Sequence, residues 1–295
     1  MNLLNKSVLL AIPALWTAAA SAEPLAETET SAPEQTSSLK ANLKRLALKY
    51  TQNSVTNREE DENYPDFSSD EETMISGVFD GNLEYNNANL VWVNRLFMEY
   101  GKTKTTEGDT TTSSEKDDQI LFTSDYIHKM WNLEQGVVGP FASLGYETEF
   151  TTFEEDGKDY RTKIVRAKAG VKLYDGAYFK DLYVAAVEEA DFTYDDSNMK
   201  TAAETGYTFE YPVREGVNFV SDGYYRQYFV YDMYKATDYK YELKFNNRLS
   251  VAIAGGFSLA PFADYHLAKT RGARKSRSDT TVGVALEYQA DCLFW

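Results

Sequence analysis

The chain offers little catalytic chemistry and a great deal of charge. Two of its 295 residues are histidine and one is cysteine, while 26% are charged. A hydrolase needs a base within hydrogen-bond reach of a nucleophile, and a third group to orient that base. His128 shares an alternating face with Phe122 and Tyr126, an interfacial aromatic position. His266 follows Asp264, which could orient it, and shares its stretch with Ser258. No Gly-x-Ser-x-Gly elbow accompanies either. No catalytic residue is therefore assigned, the chain is read as a non-enzyme, and His266 is the one residue worth testing. The lone Cys292 excludes an intramolecular disulfide and sits among apolar neighbours as a small hydrophobe. The acidic run Arg58–Glu62, with Asp66 and Asp70–Glu72, lacks the glycine-turn spacing of a calcium loop, so it reads as a solvated loop. No metal or cofactor is expected.

The remaining charges are spaced two apart, and that spacing assigns them to strands. Lys49, Arg95, Lys129, Arg166, Lys168 and Arg226 fall on the polar face of alternating stretches. Glu99, Asp125, Glu147, Asp222, Glu242 and Asp264 fall there too, with Asp80, Glu84, Glu204, Glu210, Lys240 and Lys244 in the same phase. Such a face reads in two ways. Cross-strand ion pairs would fill a narrow interior. Alternatively, the charges set the selectivity of a small channel, with the acidic excess favouring cations or giving weak selectivity.

The elements that would carry these faces are clearest at the C-terminus. Val282, Val284, Leu286, Tyr288, Ala290, Cys292 and Phe294 form one face, and Gly283, Ala285, Glu287, Gln289 and Asp291 the other. This alternation fits a strand with lipid on one side and a polar interior on the other. Tyr288, Phe294 and Trp295 make the membrane-targeting end, with Phe294 in register and Trp295 one residue past it. Working backwards gives 12 strands, from one around Leu43 to Tyr50 to this last one. The fold class is thus all-β, a transmembrane antiparallel up-and-down β-barrel of about 12 strands. Loops alternate with it, short inside at Asn86-Asn87 and Pro212 to Gly216, longer outside at Ser54 to Glu72, Thr105 to Asp118 and Leu267 to Ser278. A soluble sandwich would show shorter strands and no such asymmetry.

The N-terminus agrees. Residues 1–22 carry a short polar start with Lys6, an apolar run and the triplet Ala20-Ser21-Ala22, a secretory signal peptide. Residues 23–40 read as a disordered periplasmic leader and 41–295 as the barrel, placed in the outer membrane of a Gram-negative cell. Aromatics reach 14%, with 22 Tyr and 16 Phe, a surplus that interfacial girdles would use. A formal charge of −16 argues against nucleic acid as a partner. Expected partners are outer-membrane lipid and lipopolysaccharide, the barrel-assembly machinery, and small solutes or ions. The basic loop Lys269, Arg271, Arg274, Lys275 and Arg277 would pair with lipopolysaccharide phosphates or fold onto the acidic first loop. Both readings stand.

The stretches Leu96-Phe-Met-Glu-Tyr-Gly101, Asp118-Gln-Ile-Leu-Phe-Thr-Ser124, Leu243-Lys-Phe-Asn-Asn-Arg-Leu249 and Leu259-Ala-Pro-Phe-Ala-Asp264 resemble uncharacterised proteobacterial outer-membrane barrels similar to the salt-induced outer-membrane protein group. That resemblance implies the fold and the location, and brings no activity or catalytic motif with it.

Overall fold

Alternating side chains fold into strands because each pleat sends successive residues to opposite faces. The computed structural model describes residues 37–57, 64, 73–107, 110–134, 136–155 and 157–294, with side chains at 73 and 103–117 left aside. Twelve long strands run in chain order: β1 (Ser38–Val55), β2 (Thr73–Asn86), β3 (Leu90–Glu107), β4 (Thr110–His128), β5 (Gly136–Thr148) and β6 (Lys163–Tyr174), then β7 (Phe179–Asp191), β8 (Asn198–Arg214), β9 (Val217–Tyr231), β10 (Tyr239–Ala254), β11 (Phe257–Thr270) and β12 (Arg277–Leu293). Each pairs antiparallel with the next, and β12 returns to β1, placing Leu286 opposite Leu48. The sheet is therefore a closed 12-strand barrel without a free edge. Among the described residues there is no helix.

The strands are 12 to 19 residues long. A tilted strand needs only about 9 to 11 residues to cross a bilayer. Their outward faces are apolar and open, with Leu48 59%, Val184 64% and Phe229 63% exposed. Inward residues of the same strands, such as Ala47, Val78, Ala185 and Ala285, are buried. Charge inside and grease outside is the reverse of a soluble domain, and it is the pattern of a barrel bathed in lipid.

The two rims differ. At one, the turn end, connections are tight, and β1 starts and β12 ends there. At the other, the loop end, the connections are longer in sequence, with residues 56–72 between β1 and β2, 149–162 between β5 and β6 and 271–276 between β11 and β12. Gly255 and Gly256 form the β10–β11 turn with φ of 57° and 85°, a left-handed path that side chains resist. Gly170 of β6 has a different reason, since a Cβ there would lie 2.0 Å from the carbonyl oxygen of Val184.

Four features depart from the sequence reading. β1 begins at Ser38, so the last residues assigned to the leader already pair with β2, while residues 1–36 lie outside the described residues. The expected outside loop Thr105 to Asp118 is mostly strand, with β3 and β4 pairing out to Glu107 and Thr110. Its many threonines suit an extended backbone. Pro212 pairs within β8, opposite Asn218, and the turn shrinks to Glu215-Gly216. The register breaks just beyond it, where a missing N–H costs least. Finally, Lys240 leaves the inward face, because β10 bulges between Tyr239 and Tyr241.

Candidate functional site

The interior contains one continuous cavity of about 1980 Å³. At the loop end it touches Thr151, Phe153, Tyr194 and Lys235, and at the turn end Gly216, Ala252, Gly255 and Gln289. All of the twelve expected lumen charges line it except Lys129. That residue lies in the β4–β5 turn, where its ammonium donates to Asn86 Oδ1 and the Asn87 carbonyl oxygen at 2.6 Å each. Partial burial lowers its pKa from the ordinary lysine value, against the pull of Glu84 and Asp175.

The densest part of the lumen is a lattice of ion pairs across β5–β10. Glu189 takes Arg166 Nε at 2.6 Å and Lys200 Nζ at 2.8 Å, and accepts from Tyr228 Oη at 3.0 Å. Glu204 takes Arg226 at 2.5 Å, accepts from Tyr183 Oη at 2.5 Å, and is also bonded by Lys168. Arg166 in turn reaches Glu147. Glu242 meets His266 Nε2 at 3.0 Å and Lys244 Nζ at 3.3 Å. His266 is therefore held by a carboxylate from the neighbouring strand, Glu242, rather than by Asp264 of its own.

Two further groups sit on other walls. Lys49 bonds Glu99 at 2.8 Å and approaches Asp264 to 3.7 Å. Arg95 grips Asp80 with two bonds of 2.7 Å. A bulge between Leu43 and Leu46 turns both Lys44 and Arg45 towards the cavity. Arg45 and Arg248 then flank the buried Glu287, each at 3.9 Å, and both Glu287 oxygens lack a hydrogen-bond partner. Asp222 lies 3.6 Å from Arg248 on the same side.

Part of the turn end is floored. Tyr174 Oη of β6 crosses to Glu84 Oε2 of β2 at 2.5 Å. Val91, Ile127 and Phe141 pack beside it, and Lys172 bridges Asp125 and Asp181 at 2.9 Å each. Lys44, Arg45, Lys172, Asp181, Glu189, Lys200 and Arg248 were not singled out from the sequence. Lys172 and Lys200 keep the phase of Lys168 and Glu204, so strict alternation contained that signal. Arg45 likewise keeps the phase of Ala47 and Lys49, whereas for Lys44 alternation held no signal, because a bulge cannot be read from one strand.

At the loop end the connections pack on one another. Tyr64, 1% exposed, donates its hydroxyl to the Lys275 carbonyl oxygen at 2.5 Å. The buried Arg277 lies 5.9 Å over the Tyr64 ring. Arg271 stacks on Tyr231 and Tyr234 at 4.1 and 4.5 Å and bonds the Met233 carbonyl oxygen. Lys269 donates to the Arg274 carbonyl oxygen at 3.1 Å, while Arg274 and Lys275 are exposed. The acidic residues 58–62, 66 and 70–72 lie outside the described residues. Tyr194 bonds Glu155 at 2.7 Å in the neighbouring hairpin, and burial with that carboxylate raises its pKa. At the other rim, Tyr288 packs 4.9 Å from Phe257, Phe294 is 54% exposed and donates to the Leu39 carbonyl oxygen, and Trp295 is not among the described residues. His128 is exposed on the outer face.

This geometry defines a closed antiparallel β-barrel with an apolar exterior and a charged, partly filled lumen. Residues 68–152, from the approach to β2 through β5, match a family described as "Protein of unknown function (DUF3078)". No curated protein matches the chain. Among solved structures it is similar to the translocator domain of the autotransporter NalP from Neisseria meningitidis, with 10% identity and a TM-score of 0.39 over 86% of this chain and 89% of that one. It is also similar to a BenF-like porin from Pseudomonas fluorescens Pf-5, with 9% identity and a TM-score of 0.39 over 85% and 99% of the two chains. The salt-induced outer-membrane protein group is named in none of these. Identities this low carry no activity across.

Proposed function

We propose that the chain is an outer-membrane β-barrel that passes ions or small solutes through a narrow lumen, with its turn end in the periplasm. The observation that carries the reading is the cavity whose lining extends from Tyr194 and Lys235 at one rim to Gly255 and Gln289 at the other. The apolar exterior supports the membrane setting, and the tight turns at the rim where β1 starts and β12 ends support the orientation. Carboxylates outnumber cations along the cavity wall, which favours cations or weak selectivity. The last strand ends at Leu293 with the aromatic Phe294 just beyond it, a feature the barrel-assembly machinery would recognise.

Planar-bilayer conductance of the refolded protein tests this. Discrete openings with a cation-favouring reversal potential are expected. Silence across several salts, from a barrel shown intact by heat-modifiable gel migration, would defeat it. A second reading is a non-conducting barrel that presents its loops to a partner. The Tyr174–Glu84 bond favours it, because that contact spans the lumen between strands four apart.

A further inference from the structure

The bulge that removes Lys240 from the lumen builds something on the outside. Tyr239 pairs with Thr270 and Tyr241 with Lys269, so Lys240 is the extra residue on β10. Two residues opposing one in such a bulge turn their side chains to the same side. Lys240, Tyr241 and Lys269 therefore share the exterior face near the loop end. The bulge is pinned by Gln227 Nε2, which donates to the Lys240 carbonyl oxygen at 2.8 Å. Gln227 in turn accepts from Tyr225 Oη at 2.7 Å, and the Tyr225 and Tyr241 rings lie 6.4 Å apart.

The nearby carboxylates are turned away. Asp238 is buried beside Lys200, Glu242 is held by His266 and Lys244, and Asp264 and Asp279 line the cavity. The exposed ammonium of Lys240 and that of half-buried Lys269, which also donates to the Arg274 carbonyl oxygen, lie at the level of an amphipathic tyrosine pair, with the exposed Arg274 and Lys275 beyond them. Tyrosines belong at the headgroup level of a membrane, and cations beside them meet the lipid phosphates.

We propose that Lys240 and Lys269 bind a phosphate of an outer-leaflet lipid of the lipid A type. The proposal rests on the membrane setting argued above and goes beyond it by naming a site and a ligand chemistry. Native mass spectrometry of the refolded barrel in micelles tests it, with bisphosphorylated lipid A, its dephosphorylated form, and inorganic phosphate as competitor. The wild type is expected to retain lipid A in preference to the dephosphorylated form. The double variant Lys240→Gln/Lys269→Gln should retain about tenfold less, and the lumen variant Lys44→Gln as much as the wild type. Equal retention of both lipids, or an undiminished double variant, would overturn the proposal. Displacement by millimolar inorganic phosphate would overturn the lipid as the source. Failure of the wild type to insert into phosphatidylcholine vesicles would instead strike the membrane reading itself, a separate and recognisable result.

Discussion

Two ionic clusters share one lumen and are built to different standards. On the β5–β10 wall, Glu189 and Glu204 are almost fully buried, and partners at 2.5 to 3.0 Å reach both oxygens of Glu189. On the β10–β12–β1 wall, Glu287 is just as buried, yet its nearest cations stand at 3.9 Å. There Arg45 Nε, Arg248 Nε, Ser258 Oγ and both carboxylate oxygens have no hydrogen-bond partner among the described residues. Burying a charge is repaid only by close, hydrogen-bonded partners. The first cluster meets that condition and so acts as a brace between strands. The second does not, and its two guanidinium groups border the cavity. The difference separates cavity-lining charges held close by their partners from cavity-lining charges with only distant ones.

The largest expected effect comes from breaking the brace. Glu189→Ala leaves Arg166, Lys200 and Arg226 sharing one fewer buried carboxylate, and losing one partner of a buried pair costs about 3–5 kcal/mol. Urea unfolding in micelles, followed by heat-modifiable migration, should show that loss, and Glu189→Gln should show a smaller one. A wild-type midpoint for Glu189→Ala would remove the distinction between the clusters. Next in size is Tyr174→Phe, which deletes a hydrogen bond to a carboxylate, about 1.5–3 kcal/mol. Because that bond bridges β2 and β6, unit conductance should rise as stability falls. A stability loss with unchanged conductance would mean that the floor it forms does not limit the path.

A third effect is on selectivity. Arg45→Ser with Arg248→Ser removes two cations from the cavity wall. A unit charge about 4 Å away in water is worth about 1 kcal/mol, several-fold in local ion concentration. The reversal potential in a salt gradient should move further towards cations, whereas Lys200→Gln, on the braced wall, should move it much less. Equal shifts from both walls would show that the braced cations also face the permeating ion.

Much of this was legible before any coordinates. Strict alternation assigned Lys49, Arg95, Arg166, Arg226 and Glu242 to the interior and Val284 and Leu286 to the exterior, because a period of two leaves no third choice. What was hidden follows from irregularity or distance. The bulges at Lys44 and Lys240 arise from register against a neighbouring strand, so one strand's pattern cannot show them. The partner of His266 is Glu242, which alternation placed inside without saying what it would touch. Tyr64, alone in an acidic stretch, became a buried anchor for the last loop through a contact 211 residues away in sequence.

The smallest effect is the sharpest test of the contrast. Glu287→Leu removes a carboxylate that is buried, unbonded and only distantly approached by Arg45 and Arg248. Its desolvation is a cost that two arginines at 3.9 Å, making no hydrogen bond to it, repay poorly, and an apolar side chain of similar size relieves that cost. Arg248 keeps Asp222, and Arg45 keeps access to the cavity. The unfolding midpoint should therefore shift by less than about 1 kcal/mol in either direction, against the several expected for Glu189→Ala. A loss as large as that of Glu189→Ala would mean that the two arginines close on Glu287 in the membrane. The lumen would then have two braces rather than one brace and one loose pair.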